Sequence, residues 1–285
     1  LAYANGDWSQ TRVWDRWFDI WDSLMVTPSG NQIPIVAAIG NHEVRGGYAG
    51  NVQDAGPYLR FLPQSPTPYY ERSIGPHMGL IVLDSGHLTP HAGVQTDWLR
   101  RALEGHSDRP LCLVAYHVPL FPGFRLPSGA MPSAGREFWQ PLFEQYNITA
   151  ALEHHDHIFK RTVLIRGDEE TEDGILYLGD GAFGRPTKPV EGPRQVHLGR
   201  RWYLHKLESR GHFWRVDVDA AGASATFTAL DEEGIEFDQV TRMARQGSLT
   251  LDLPTVDGVD ELHRFQCVIE AGLWLPAFTD AIQKM

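Results

Sequence analysis

Three imidazoles and a carboxylate stand together in Glu153-His154-His155-Asp156-His157, directly after the apolar run from Ile148 to Leu152. Imidazoles gather in this way when a cation needs neutral nitrogen donors. On an extended chain, His155 and His157 would point both rings to one face. On a tight turn the pair would straddle two ions, and a solvated His-rich turn is the third reading. Other apolar runs end in a similar way. Ile33 to Ile39 stops at Gly40-Asn41-His42-Glu43, and Leu111 to Tyr116 stops at His117. Gly40 permits a sharp turn. Asn41, His117, His155 and His157 would then share one rim beyond the carboxyl ends of a sheet, where open α/β sheets present ligands. Neutral imidazoles with an amide oxygen suit zinc, iron or manganese better than calcium, which prefers oxygen donors.

The elements that must position these residues follow from periodicity. Between Val13 and Met25, Trp14, Trp17, Phe18, Trp21, Leu24 and Met25 recur at helical spacing, which predicts an amphipathic helix with its tryptophans in the core. Strands are expected at Ile33 to Ile39, from Tyr69-Tyr70 onward, at Gly79 to Leu83, at Leu111 to Tyr116 and at Ile148 to Leu152. Helices are expected at Val94 to Glu104, with Val94, Trp98, Leu99, Ala102 and Leu103 inward, and at Arg136 to Tyr146, shortened by Pro141. Val44 to Pro68 and Phe121 to Gly135 read as loops from their Gly and Pro content. Strand and helix alternating in this way predict a layered α/β body. Later, Thr162 to Arg166, Ile175 to Leu178, Phe213 to Val218, Ala225 to Ala229 and Ile235 to Val240 are short extended runs between turn signals, read as an antiparallel meander. Residues 1–245 are expected to form the catalytic domain and 246–285 a tail, partly helical at 259–269.

Composition bounds the function. The chain has 285 residues, 42% of them hydrophobic, enough for one sizeable core. A net charge of −11 speaks against nucleic acid or an anionic membrane as partner. No apolar stretch approaches the length of a membrane span. Cys112 and Cys267 form no disulfide framework or zinc knuckle. The run Asp168 to Asp173 reads as the wet tip of a hairpin, with capture of a cation as the alternative. Arg185, Lys188, Arg194, Arg200 and Arg201 make a locally basic stretch, read as solvated charge or as a means of steering an anionic substrate. His87, His91, His197, His205 and His212 read as surface or packing residues.

Taken together, these motifs resemble the calcineurin-like metallophosphoesterases, and within them the purple acid phosphatases. Leu1-Ala-Tyr3 matches the end of that family's second motif, Gly40 to Glu43 its third, Tyr116-His117-Val118-Pro119 its fourth and His155 to Arg161 its fifth. The resemblance implies a four-layer αββα sandwich of the α/β (α+β) class, with the metal site at the strand ends. It implies two metal ions. Tyr3 and His157 would bind the first, which is iron in the purple acid phosphatases. Asn41, His117 and His155 would bind the second, a zinc, iron or manganese ion. His42 would be catalytic, holding the phosphate or protonating the leaving alkoxide. Two aspartates of the family pattern, in the first motif and directly before the Leu1 position, have no counterpart here. The chain is accordingly read as an N-terminally truncated copy lacking its first strands, with impaired metal binding; Asp7 is a low-ranked substitute bridge. His154 replaces a family glycine, and no extra histidine lies between Pro119 and Gly135, which points to a bacterial-type relative.

The function so implied is hydrolysis of small phosphate monoesters by hydroxide held between two cations. The alternatives are a phosphodiesterase or phosphoprotein phosphatase of the same superfamily, or a catalytically silent metal-binding relative. The resemblance also implies a secreted or periplasmic address.

Overall fold

The computed structural model describes residues 1–179, 181–190, 201–219 and 221–245. The expected tail at 246–285, with its helix, and Arg194, His197 and Arg200 lie outside the described residues.

Strand β1 (Tyr70–Ile74) turns back on β2 (Met78–Val82), and β2 then runs parallel to β3 (Leu111–Ala115), itself parallel to β4 (Ala150–Leu152). After β4 come β5 (Phe159–Thr162), a short hairpin of β6 (Ile165–Arg166) and β7 (Glu169–Glu170), then β8 (Leu176–Gly179) and β9 (Leu204–Glu208). Seven of these form one mixed sheet in the order β1-β2-β3-β4-β8-β5-β9. A second sheet holds β10 (His212–Val218), β11 (Ser224–Asp231) and β12 (Glu236–Met243), all antiparallel.

The period-two alternation of strand side chains explains why the central strands are apolar throughout. Ile81, Leu83, Cys112, Val114, Ala151 and Tyr177 project to one side, where they meet Leu99, Ala102 and Leu103 of the helix Val94–Gly105 and residues 139–143. Leu80, Val82, Leu113, Leu152 and Leu178 project to the other, against Val216, Val218, Ala225 and Phe227 of the second sheet. A helical layer and two stacked sheets result. Each fully buried aliphatic side chain contributes about 1.5–3 kcal/mol.

The tryptophan helix forms as its spacing predicts, as Thr11–Leu24, with Trp14, Trp17 and Trp21 buried. It packs on Ala2, Ala4, Ala37, Ile39 and Val44. One helix therefore steadies both the segment carrying Tyr3 and the segment that delivers Asn41.

Several expectations need correction. Ile33 to Ile39 is extended but joins no ladder, because side chains take its central backbone groups. The Tyr58 and Tyr70 hydroxyls donate to Ala37 O at 3.0 and 2.8 Å, and Ala37 N–H donates to Gln64 Oε1 at 3.1 Å. The stretch from Val44 to Pro68 is not all loop. A reciprocal cap between Asn51 and Asp54 starts a 3-10 turn at Val52–Ala55, and a helix follows at Gly56–Phe61 with Pro57 in its first turn. Within Phe121 to Gly135 a helix begins at Ala130; it ends at Phe138, and Gln140–Gln145 restarts after Trp139 with Pro141 at its head. The prolines sit where a helix has no internal acceptor to lose. Val94 is 67% exposed because it opens its helix, and Gln95 is buried in its place. The Ile175 to Leu178 run belongs beside β4 in the main sheet, parallel to it, and only β10 to β12 make the meander. The acidic run is the hairpin tip that it was expected to be, with Glu169 and Glu170 exposed. No helix among the described residues is long and apolar enough to cross a membrane.

Burial lowers the pKa of both His91 and His212 to about 4. Each ring is therefore neutral in the folded chain at pH values where an unfolded chain would already bind a proton. The stability contributed by each neutral ring is complete above pH 6.5 and is lost as pH falls from there through 4, on the order of 3 kcal/mol per ring. Urea midpoints should decline across that window, and His91→Gln should flatten the decline. An unchanged slope in His91→Gln would contradict this origin.

Candidate metal centre

The paired ends of β3 and β4 bring two imidazoles together. Tyr116 N–H donates to Leu152 O at 3.1 Å and His154 N–H to His117 O at 3.0 Å, so the strands leave the sheet still in step. His117 Nε2 then lies 3.0 Å from His155 Nδ1 and 2.8 Å from Asn41 Oδ1. The glycine before Asn41 is required, since a Cβ at Gly40 would stand 2.9 Å from His117 Nδ1 and from Glu43 Oε2. Beside this cluster is a second one. Tyr3 Oη is 3.3 Å from His157 Nε2, and the Tyr3 ring is 4.0 Å from the His42 ring. His42 Nδ1 donates to Asn5 Oδ1 at 2.7 Å.

A tight turn, and not the extended chain, is the conformation adopted around Asp156. His155 and His157 both have left-handed backbones, with φ of 75° and 56°, and so does Tyr3 at 57°. Such a conformation costs a side-chain-bearing residue roughly 1–2 kcal/mol and persists only where surroundings enforce it. Asp156 is the enforcing residue. Fully buried, it accepts from Phe124 N–H at 2.6 Å, Arg125 N–H at 3.1 Å and Arg125 Nη1 at 2.7 Å. The same guanidinium donates to His155 O at 2.7 Å. One residue earlier, the buried Glu153 carboxylate pairs with buried Lys160 and accepts from the Tyr116 hydroxyl at 2.7 Å and Leu120 N–H at 2.6 Å. His154 fits where the resembled family has glycine. Its backbone is not left-handed, and its ring Nδ1 lies 2.8 Å from Tyr116 O.

Around the rings, Tyr48 and His87 form an outer wall that sequence reasoning missed. Tyr48 Oη is 3.1 Å from His155 Nε2, its ring stacks on His87 at 5.0 Å, and His87 lies 5.3 Å from His117. The Gly-Gly-Tyr-Ala-Gly context of Tyr48 carries no periodicity that could have flagged it. Burial, and then the neighbouring His87 and His154 rings, hold the His117 imidazole well below its usual pKa, so it offers a lone pair and no charge. Burial raises the Tyr48 phenol, which stays a neutral hydroxyl beside His155 Nε2. At the end of β2, burial also raises Asp84 against the pull of His87 and the His87, Leu88 and Thr89 N–H groups that it accepts from.

Asp7 is not part of the centre. Its carboxylate caps the turn at Trp8–Gln10 by accepting from Ser9 N–H at 2.9 Å. Arg201 is not a free steering charge either, since it donates to the carbonyls of Pro122, Phe124 and Arg125. Arg185 does enter the site and lines one cleft with Tyr3, His42, His117 and His157.

The donor set fits a pair of ions. Two donors about 2.0–2.1 Å from one ion, at octahedral to tetrahedral angles, stand roughly 2.8–3.4 Å apart. The separations of 2.8, 3.0 and 3.3 Å fall in that interval. Among the described residues no three His, Cys, Asp or Glu side chains gather tightly enough to hold an ion by themselves. One cluster is completed by an amide and the other rests on a phenol.

Fold and site thus define a layered α/β protein whose nitrogen and oxygen donors converge beyond its strand ends. The model of the calcineurin-like phosphoesterase family matches residues 2–159, and the chain belongs to that family. It is 30% identical over 232 residues to two uncharacterized proteins of Mycobacterium tuberculosis, from strains CDC 1551 and H37Rv, covering 68% of this chain and 43% of each relative. The chain therefore spans less than half the length of the curated relatives it matches. In fold it is similar to purple acid phosphatase PPD1 from yellow lupin (Lupinus luteus) seeds, with a TM-score of 0.60 at 17% identity, over 73% of this chain and 40% of that one. Phosphoester hydrolysis assisted by two metal ions is the chemistry that the family implies.

Lys160→Met keeps much of the side-chain volume but leaves Glu153 buried without its counter-charge. The loss should be about 3–5 kcal/mol of unfolding free energy in urea titration. A loss below about 1 kcal/mol would contradict an ionic Glu153–Lys160 pair.

Proposed function

We propose that the protein of which this chain is part hydrolyses phosphate monoesters at a dinuclear metal centre built from the residues above. The observation that carries the reading is the grouping of donors into two adjacent sets at ligand-to-ligand distances. Asn41 Oδ1, His117 Nε2 and His155 Nδ1 would hold one ion, for which zinc, iron or manganese suits imidazole and amide donors. Tyr3 Oη and His157 Nε2 would hold the other, where a phenol oxygen favours iron. Bound there, the two cations would neutralise phosphoryl oxygens and make hydroxide available near neutral pH.

The remaining work falls to the chain's own side chains. Tyr48, accepting from His155 Nε2–H through its hydroxyl oxygen, leaves the Nδ1 lone pair free on the inner side. A hydrogen bond of this kind fixes both ring orientation and tautomer. Asp156 and Arg125 hold the strained turn that separates His155 from His157. His42 is oriented by Asn5, which accepts from Nδ1. Its Nε2 is then the atom to carry a proton to the departing alkoxide, a contribution of roughly two to four powers of ten in rate.

In the full-length protein, His42→Gln should lower kcat for a phosphate monoester by about 10²–10⁴ while leaving metal content unchanged. Hydrolysis in isotope-labelled water should place one labelled oxygen in the released phosphate. A kcat within threefold of the parent protein would remove His42 from the chemistry, and unlabelled phosphate would rule out direct transfer to water.

A further inference from the structure

Arg185 leaves the short turn after Ala182-Phe183-Gly184 and lays its guanidinium over the Tyr3 ring, with Cζ 4.1 Å from the centroid. It is half-buried, and it lines the cleft shared by Tyr3, His42 and His157. Its Nε is closed off from solvent and has no hydrogen-bond partner. Among the described residues no carboxylate pairs with it, although the protein carries a net charge of −11. Arg125, Arg161 and Arg215, by contrast, have carboxylate partners in Asp156, in Asp238, and in Asp217 and Glu236 respectively. A guanidinium held in a cleft without a counter-ion, beside imidazoles and a phenol, is out of place as a stabilising group. It is well placed to take an anion. Stacking on a ring face fixes the planar group while leaving its N–H edge for an acceptor, and that fork matches phosphate oxygens.

We propose that Arg185 is a substrate-binding residue that grips the phosphoryl group and favours dianionic monoesters over monoanionic diesters. This rests on the phosphoesterase reading of the same site. A monoester phosphate has three unesterified oxygens, so with two turned toward the metal donors a third is left as an acceptor for the guanidinium. A diester presents an esterified oxygen in that place, with less charge and a substituent in the way. Arg185 therefore acts on the ground-state grip and on discrimination, and His42 on the leaving group.

The test uses the full-length, metal-loaded protein with Arg185→Gln and Arg185→Lys, reading inorganic phosphate binding by calorimetry alongside turnover of a phosphate monoester and a phosphodiester. Arg185→Gln should weaken phosphate binding about 10- to 100-fold, the loss expected for a charge-assisted bidentate contact. It should raise KM for the monoester, lower the monoester-to-diester ratio of kcat/KM about tenfold or more, and leave metal content as in the parent. Arg185→Lys restores the charge without the fork and should recover phosphate binding only in part. Unchanged phosphate affinity in Arg185→Gln, or loss of metal accompanying the weaker binding, would overturn the proposal, the latter by placing Arg185 in support of Tyr3. The two readings fail separately. Phosphate binding that depends on Arg185 in a protein with no hydrolytic activity would keep this inference and sink the phosphoesterase reading. Full activity on both esters in Arg185→Gln would do the reverse.

Discussion

The parallel register of β3 against β4 is the constraint on which the rest depends. Leu113, Val114 and Ala115 stand opposite Ala150, Ala151 and Leu152, so the residues that follow, Tyr116-His117 and Glu153-His154-His155, emerge level with one another. Side chains alternate along a strand, and a slip of one residue would turn His117 toward the helical layer and its donor atom away from His155. The register is held by apolar burial on both faces, with Val114 and Ala151 on one side and Leu113 and Leu152 on the other. The chemistry is thus positioned by the same hydrophobic contacts that hold the fold together.

At the rim the energetics change sign. Left-handed backbones at Tyr3, His155 and His157, and a buried Glu153–Lys160 ion pair, all cost free energy that well-packed apolar residues would not. What they supply is geometry. Glu153 ties Tyr116 of one strand end to Leu120 beyond it, and Asp156 ties the histidine turn to the loop at Phe124 and Arg125. A site that must hold donor atoms a few tenths of an ångström from their working places is where such costs concentrate.

Much of this was legible in the sequence, and what was not has definite physical reasons. Asn41, His42, His117, His155 and His157 announced themselves because each follows an apolar run, and the structure brings them to one rim together with Tyr3. The tryptophan helix was plain from its period. The extended run Ile33 to Ile39 looked like a strand because apolar length and β-branching mark burial, and its ladder was lost to phenol and amide side chains from distant residues. The helix starting at Ala130 was hidden by glycines and prolines that occupy capping and first-turn positions. The place of β8 beside β4 is a long-range pairing with no local trace. Tyr48 and Asn5 come from loops, where function depends on three-dimensional proximity and periodicity is absent, and Arg185 stood out only as one charge of a basic stretch. The metallophosphoesterase resemblance was carried by the motifs, and the family match over residues 2–159 agrees with it. Which ring nitrogens face the neighbouring groups, Nδ1 of His155 and Nε2 of His117 and His157, is set by the folded chain and has no trace in the sequence.

Two cations are expected at the strand ends, each held by its own set of donors. Anomalous diffraction from crystals of the full-length protein, collected at the absorption edges of iron, zinc and manganese, tests this expectation most directly. Two neighbouring peaks are expected, one touching Asn41, His117 and His155 and the other touching Tyr3 and His157. A density map without peaks there, or with the ions bound elsewhere on the molecule, would contradict it.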